Sequence, residues 1–224
     1  MKKYAVIVAG GSGKRMGADI PKQFLLLNGK PLLQYTIQSF LQSYDDMHII
    51  LVLPIEHLAK GMELIKNMNA EERIQIIAGG ETRFHSVKNG LSYIMHPSIV
   101  FVHDGVRCLV SQKLIQNCYE QACEKGSAIP AVAATDSIRI DEGSSHFTID
   151  RSKVCIIQTP QTFRSEILAE AFKQEYNEAF TDEAAVAEAA GYEVFLIQGE
   201  YENLKITRPI DLSIAEKLLQ NVIS

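Results

Sequence analysis

The 224-residue sequence predicts an α/β fold: a mostly parallel twisted sheet with helices on both faces and one protruding β-hairpin arm. Three observations carry this. Apolar runs of strand length recur along the chain, stretches of helical period lie between most of them, and one segment near residues 135–158 breaks the rhythm with short alternating strands. Strands covered by helices on both sides lose the in-out alternation of a half-exposed sheet and read as continuous apolar runs.

In order, residues 4–9 (YAVIVA) make the first strand and empty into a glycine-rich loop. Leu32, Leu33, Thr36, Ile37, Phe40 and Leu41 step at three and four, the spacing of a helix with one apolar face. A strand at 49–53 follows, then a less regular helix on Leu58, Met62, Ile65 and Lys66, a strand at 74–78, and a helix on Val87, Leu91 and Ile94. The strand at 99–103 leads into a helix on Leu114, Ile115, Cys118 and Ala122, and then a strand at 128–133. Residues 137–140 and 147–149 alternate and join across Asp141-Glu142-Gly143-Ser144-Ser145, which reads as the hairpin. A lone two-stranded ribbon is marginal in water, so the arm is expected to pack against a second subunit. Beyond it come a helix near 165–176, another opened by Thr181-Asp182-Glu183 with Thr181 as N-cap, a strand at 193–197 and a final helix from about Asp211. The whole, 1–224, reads as a single domain with the arm at about 135–158.

Composition narrows the function classes. The chain is net −5 with 46% hydrophobic and 22% charged residues, the range of an ordinary globular protein. No apolar stretch approaches the roughly 20 residues that cross a bilayer, and no secretory cleavage pattern follows the first apolar run, so the expected location is cytoplasmic with no membrane partner. Cys108, Cys118, Cys123 and Cys155 form no C-x-x-C pair and no histidine stands at metal-ligand spacing from them, so they read as reduced thiols.

Residues 1–30 hold Lys2, Lys3, Lys14, Arg15, Lys22 and Lys30 against Asp19 alone, although the whole chain is acidic. Positive charge this local fits a small polyphosphate and not a nucleic acid. Gly10, Gly11 and Gly13 let backbone N–H groups turn toward one anion. The loop is not a Walker loop, because Lys14 is followed by Arg15 instead of Ser or Thr. Nor is it a dinucleotide fingerprint: Gly11, Gly13 and Gly17 give G-x-G-x-x-x-G, and residues 31–44 hold no acid for a ribose. Ligands of such sheets gather at the carboxyl ends of strands, where this loop, Gly79-Gly80-Glu81 and Asp104-Gly105-Val106-Arg107 all fall.

Several motifs in fixed order then carry a resemblance. They are Ala9-Gly10-Gly11-Ser12-Gly13-Lys14-Arg15-Met16 with Pro21-Lys22-Gln23, Val102-His103-Asp104-Gly105-Val106-Arg107, Asp150-Arg151, Gln158-Thr159-Pro160-Gln161, Thr181-Asp182-Glu183, and Asn203-Leu204-Lys205-Ile206-Thr207-Arg208-Pro209. Over about residues 4–218 the chain resembles the 2-C-methyl-D-erythritol 4-phosphate cytidylyltransferase family of the non-mevalonate isoprenoid route. The resemblance implies a Rossmann-like nucleotidyltransferase fold and a magnesium-dependent reaction. In it the CMP moiety of CTP is transferred onto the phosphate of 2-C-methyl-D-erythritol 4-phosphate, giving 4-diphosphocytidyl-2-C-methyl-D-erythritol and pyrophosphate.

Carried over by position, the resemblance implies that Ala9, Gly10, Gly80, Glu81 and Ser86 frame the cytosine and ribose, with Gly11 and Gly13 in the same nucleotide loop. Arg15 and Lys22 would lie on the triphosphate and steady the transition state. Asp104 and Gly105 would meet the ribose, Asp104 also standing close to the Mg2+ that accompanies the nucleotide. Arg151, Thr181 and Lys205 would hold the second substrate's phosphate, with Arg151 arriving on the arm of the neighbouring subunit of a homodimer. Arg107, Ser137 and Thr159 complete the expected substrate contacts. Cys108 stands where the family usually has proline, and Thr135 where it commonly has a basic residue.

Individual residues also admit structural readings. Arg107 beside Asp104 is equally an ion pair that orders a loop, and His103 on an apolar strand reads as a core histidine whose nitrogens are satisfied. A phosphate monoester, with its second pKa near 6, is an ionised nucleophile that needs no general base, which suits a chain rich in placed cations and without a Ser-His-Asp set. The nearest rival is a cytidylyltransferase for another polyol phosphate such as ribitol 5-phosphate. A non-catalytic nucleotide-binding module is the rival from outside enzymes.

Overall fold

The computed structural model describes residues 1–10 and 20–223, with side chains through 220. In chain order it runs β1 (Lys2–Val8), the two-residue strands β2 (Leu26–Leu27) and β3 (Lys30–Pro31), α1 (Leu32–Ser43), β4 (Met47–Leu53), α2 (Leu58–Asn67), β5 (Ile74–Ala78), α3 (Arg83–Leu91) and β6 (Ser98–Asp104). The second half holds α4 (Gln112–Lys125), β7 (Ser127–Ala133), the arm strands β8 (Ile138–Asp141) and β9 (His146–Ile149), β10 (Cys155–Ile157), β11 (Gln161–Arg164), α5 (Ser165–Ala171), α6 (Glu183–Ala189), β12 (Leu196–Gln198) and α7 (Pro209–Ile223).

Eight strands form one sheet. β5, β4, β1 and β6 lie side by side and parallel, β11 adds antiparallel to β6, β7 pairs antiparallel with β11 and so runs with the parallel strands, and β12 joins β7 in parallel. The expected alternation therefore gives a mostly parallel sheet, but β10 and β11, which the sequence pattern did not single out, make it mixed. They run end to end along β7, and the Gln158 N–H donates to the Pro130 carbonyl (2.8 Å) between them. From β1 the chain moves out to β4 and β5, then returns across to β6, so β1 and β6 flank the point where the winding reverses and a crevice opens.

Side-chain alternation on β1 divides the core. Ala5 and Ile7 join Leu33, Ile37 and Phe40 of α1 and Leu114 and Ile115 of α4, while Val6 faces Phe84 and Val87 of α3 and Leu168 of α5. Both faces are thus covered, as continuous apolar strands require. Among the described residues no helix is long and apolar enough to cross a membrane.

Two helix boundaries and one strand differ from expectation. The helix expected near 165–176 stops at Ala171, because the Gln174 amide donates to the carbonyls of Ala171 (2.8 Å) and Val186 (3.0 Å), closing the helix end with a side chain. The N-cap of α6 is Asp182, not Thr181: its carboxylate accepts from the Ala185 N–H at 2.9 Å, and a charged acceptor gains from the helix dipole where a hydroxyl would not. The last strand is displaced to Leu196–Gln198 by its register against Ile129–Ala131.

The arm is a separate two-stranded ribbon in register Ile138↔Ile149, with Arg139 donating across it to His146 Nδ1 (2.8 Å) and Thr148 Oγ1 (2.9 Å). Phe147 and Ile140 of this ribbon are exposed.

Candidate active site

Three strand ends build the floor of the crevice. The Ala9 N–H donates to Val52 O (3.0 Å), the Gly105 N–H to Val8 O (2.9 Å) and the Gly79 N–H to Leu53 O (2.8 Å), so each loop leaves its strand still tied to the neighbour. A Cβ on Gly105 would stand 2.8 Å from the Ala9 Cβ, which is why the loops after β1 and β6 can meet here only through glycine. Gly10 is exposed beside them. Of the expected nucleotide loop, Gly11, Gly13 and Arg15 lie outside the described residues, as does Lys14.

Gly80 and Glu81 are exposed at the end of β5, and Ser86 is buried beneath them. The Ser86 hydroxyl accepts from the Gly80 N–H at 3.1 Å, so it fixes the glycine turn from below. Thr82 caps α3 by accepting from the His85 N–H.

At the centre stands Asp104, with side-chain exposure of 11%. Lys205 Nζ approaches its Oδ2 at 3.0 Å, Arg107 Nε the same oxygen at 3.5 Å, and Arg83 Nε its Oδ1 at 3.5 Å. Arg83 also pairs with Glu183, the first residue of α6, whose side chain is only 1% exposed. The structure thus gathers Asp104, Gly105, Ala9, Gly10, Arg107 and Lys205 into one place. It also adds Arg83 and Glu183, to which sequence reasoning gave no role. A basic residue on the turn after Gly79-Gly80 was the only signal available, and nothing in spacing links position 83 to position 183.

Charge follows this packing. Burial alone would raise the Asp104 pKa, but Arg83, Lys205 and Arg107 outweigh it and hold the carboxyl well below the usual range. Burial works against the Arg83 charge too, and Glu183 with Asp104 overcomes it and raises that pKa. For Glu183 burial dominates and pushes the carboxyl up against the pull of Arg83. Lys205 is the exposed cation of the group, with 43% of its side chain open to solvent.

Two residues expected to touch substrate are engaged within the protein. Thr159 is buried, its hydroxyl accepting from the Asp104 N–H (3.1 Å) and lying 3.0 Å from His103 Nδ1. Arg107 Nη1 donates to the Asn203 carbonyl at 2.8 Å while its Nε lies 3.5 Å from Asp104, the contacts of an ion pair that orders the loop. His103 is wholly buried, with both ring nitrogens in contact with polar partners. The remaining candidates lie around the rim. Lys22 begins a 3-10 turn, Lys22–Phe24, that docks on α1 through Phe24. Thr181 is exposed just before α6, Ser137 is exposed before β8, and Arg151 at the arm's base donates to the Thr135 carbonyl at 2.6 Å.

Burial lowers the His103 pKa to about 4. Free histidine titrates near 6.5, so between those values the unfolded chain binds the extra proton and stability is lost as pH falls from about 6.5 towards 4. His103→Gln, which keeps polar atoms for both partners, is expected to flatten that part of the profile, by about 3 kcal/mol at most. Urea denaturation of both proteins at about pH 7 and about pH 5 reads it directly.

The family model for 2-C-methyl-D-erythritol 4-phosphate cytidylyltransferase matches residues 4–221, a span that includes the strand-end loops, the arm and Lys205. The chain belongs to that cytidylyltransferase family. Among its relatives, the 2-C-methyl-D-erythritol 4-phosphate cytidylyltransferase of Phocaeicola vulgatus is 48% identical over 219 residues, covering 98% of this chain and 100% of that protein. The enzyme of that name from Clostridium botulinum is 43% identical, covering 96% and 98%. Of solved structures, the cytidylyltransferase from Thermus thermophilus superposes with a TM-score of 0.76 at 31% identity, over 98% of this chain and 100% of that one. The 4-diphosphocytidyl-2C-methyl-D-erythritol synthase from Anaerococcus prevotii gives 0.83 at 27%, over 98% and 96%. The cytidylyltransferase fold is therefore shared end to end, not over a nucleotide-binding half alone.

Proposed function

We propose that this chain transfers the cytidylyl group of CTP to 2-C-methyl-D-erythritol 4-phosphate, releasing pyrophosphate. The observation that carries the reading is the cluster of Arg83, Arg107 and Lys205 on the buried Asp104, at the strand ends of a chain that belongs to the cytidylyltransferase family end to end. The crevice beside Ala9, Gly10 and the Gly80–Glu81 turn would take cytosine and ribose, with Ser86 holding that turn in shape. Lys205, Thr181 and Arg151 would take the second substrate's phosphate. That phosphate, already ionised, attacks the α-phosphorus as pyrophosphate departs, and no residue need remove a proton. Two anions must be held together, so the protein's work is placement of cations: Arg15 and Lys22 on the triphosphate, Lys205 and Arg151 on the incoming phosphate.

A protein-held Mg2+ fits poorly. Asp104 faces three cations, and among the described residues no group of three His, Cys, Asp or Glu side chains is placed to hold a metal. In our reading the ion enters chelated by the triphosphate, as part of the nucleotide substrate. Pyrophosphate release from CTP, run side by side with 2-C-methyl-D-erythritol 4-phosphate and ribitol 5-phosphate, tests the assignment: turnover is expected with the first and not the second.

The arm supports a homodimer in this reading, one domain per chain with its exposed Phe147 and Ile140 covered by the partner, in a cytoplasmic setting. Arg151→Ala is expected to raise KM for the polyol phosphate more than for CTP. If Arg151 serves the neighbouring subunit's site, mixed dimers of Arg151→Ala and Lys22→Ala chains turn over faster than either homodimer at polyol phosphate concentrations below the parent KM, because one site then keeps both residues. Demonstrated mixed dimers with no such gain would place both residues in one subunit's site.

A further inference from the structure

Beneath Asp104 a closed circuit of hydrogen bonds joins three segments far apart in sequence, and its directions are fixed by elementary donor rules. The Arg107 carbonyl can only accept, so His103 Nε2, 3.2 Å away, must carry a hydrogen. A neutral imidazole carries one ring proton, which leaves Nδ1 as an acceptor. The Thr159 hydroxyl, 3.0 Å from Nδ1, therefore donates to it, while its oxygen accepts from the Asp104 N–H at 3.1 Å. From Arg107 the circuit returns: Nη1 donates to the Asn203 carbonyl (2.8 Å), and the Asn203 amide donates to the Thr159 carbonyl (2.8 Å). Every one of these groups is buried or partly buried, and the imidazole is held edge-on to Phe40, ring centroids 5.0 Å apart.

We propose that His103 is a positioning residue, locked as the neutral Nε2–H tautomer, through which the Thr159 hydroxyl and the Arg107 carbonyl hold loop 104–107 in the one arrangement that presents Asp104 and Gly105 to the crevice. The inference rests on the cytidylyltransferase reading only for its kinetic arm. In the opposite tautomer Nδ1–H would donate to the Thr159 oxygen, so the hydroxyl's own hydrogen would lose its acceptor on the ring and the Arg107 carbonyl would face a lone pair. Burial keeps the ring neutral at ordinary pH. The residue touches no substrate in this role; it acts by preventing drift of the loop, and a drift of about 1 Å in such a loop costs up to about 10²-fold in rate.

The test uses the full-length protein labelled with 15N at histidine. Long-range proton–nitrogen correlation at neutral pH, with His103→Gln identifying the signal, is expected to show His103 with a protonated Nε2 and an unprotonated, hydrogen-bonded Nδ1. The Nδ1–H form, or rapid averaging between the two, overturns the proposal whatever the activity. Thr159→Val, which removes the hydroxyl at near-constant volume, is expected to shift that Nδ1 signal and to lower kcat/KM by about 10- to 10²-fold, and Thr159→Ser to recover both. A folded Thr159→Val protein with unchanged signal and unchanged kinetics also overturns it. Should that variant fail to fold, the tautomer of the unmodified protein still decides. Absence of any turnover in the unmodified protein would instead count against the reaction assigned above.

Discussion

Lys22→Ala is expected to lower kcat by about 10²–10³ while the nucleotide KM moves far less, the pattern of a donor whose interaction strengthens only as charge develops. The backbone around Lys22 is built to be still. Pro21 precedes it, the Phe24 N–H donates to the Pro21 carbonyl (2.9 Å), the Leu25 N–H donates to the Lys22 carbonyl (3.1 Å), and Phe24 is buried with Lys60 over its ring at 4.5 Å. In the proposed reaction this turn fixes the backbone from which the Lys22 ammonium reaches the departing pyrophosphate. Steady-state kinetics with both substrates varied, on a protein whose melting temperature matches the parent, measures the effect. A near-normal kcat would remove Lys22 from the transition state.

Arg83→Met is expected to destabilise the fold by about 3–5 kcal/mol, because it strands the Glu183 carboxylate where water does not reach. Arg83 also supplies one of three cations on Asp104, so the loss is felt at the crevice and at α6 together. The companion double variant Arg83→Met with Glu183→Gln removes the pair as a unit and is expected to recover most of the lost stability while activity stays low. Urea midpoints of the parent, both single variants and the double form a thermodynamic cycle. Strictly additive effects would show that the two side chains do not depend on one another.

Much of the fold was legible because its elements announce themselves by period. The strand at 74–78 is found where the apolar run lies, β4, β6 and β7 extend their runs by a residue or two, and β1 begins two residues before its run and ends one short of it, since a strand covered on both faces has no polar positions to blur it. β10 and β11 were not legible: each is short, one is exposed, and the polar run Gln158-Thr159-Pro160-Gln161 between them reads as loop. Their strand character comes from pairing with β7 and β6, which is information about neighbours. The site divides the same way. The strand-end loops could be placed from glycines and charge, whereas the Arg83–Glu183 pair and the internal contacts of Thr159 and Arg107 depend on which distant segments meet. Local composition fixes what a residue can do and leaves its partner open.

The circuit through Thr159, Arg107 and Asn203 also sets an order of assembly. Asp104 is translated about a hundred residues before Asn203 and Lys205, and the parallel strands around it can then already collapse. Asn203 and Lys205 emerge later, so a nascent chain holds an apolar sheet well before it holds a finished crevice. Termination just before Asn203 would take from the Thr159 carbonyl and the Arg107 Nη1 the partner they share, and with it the brace beneath loop 104–107, in a molecule whose sheet is otherwise complete.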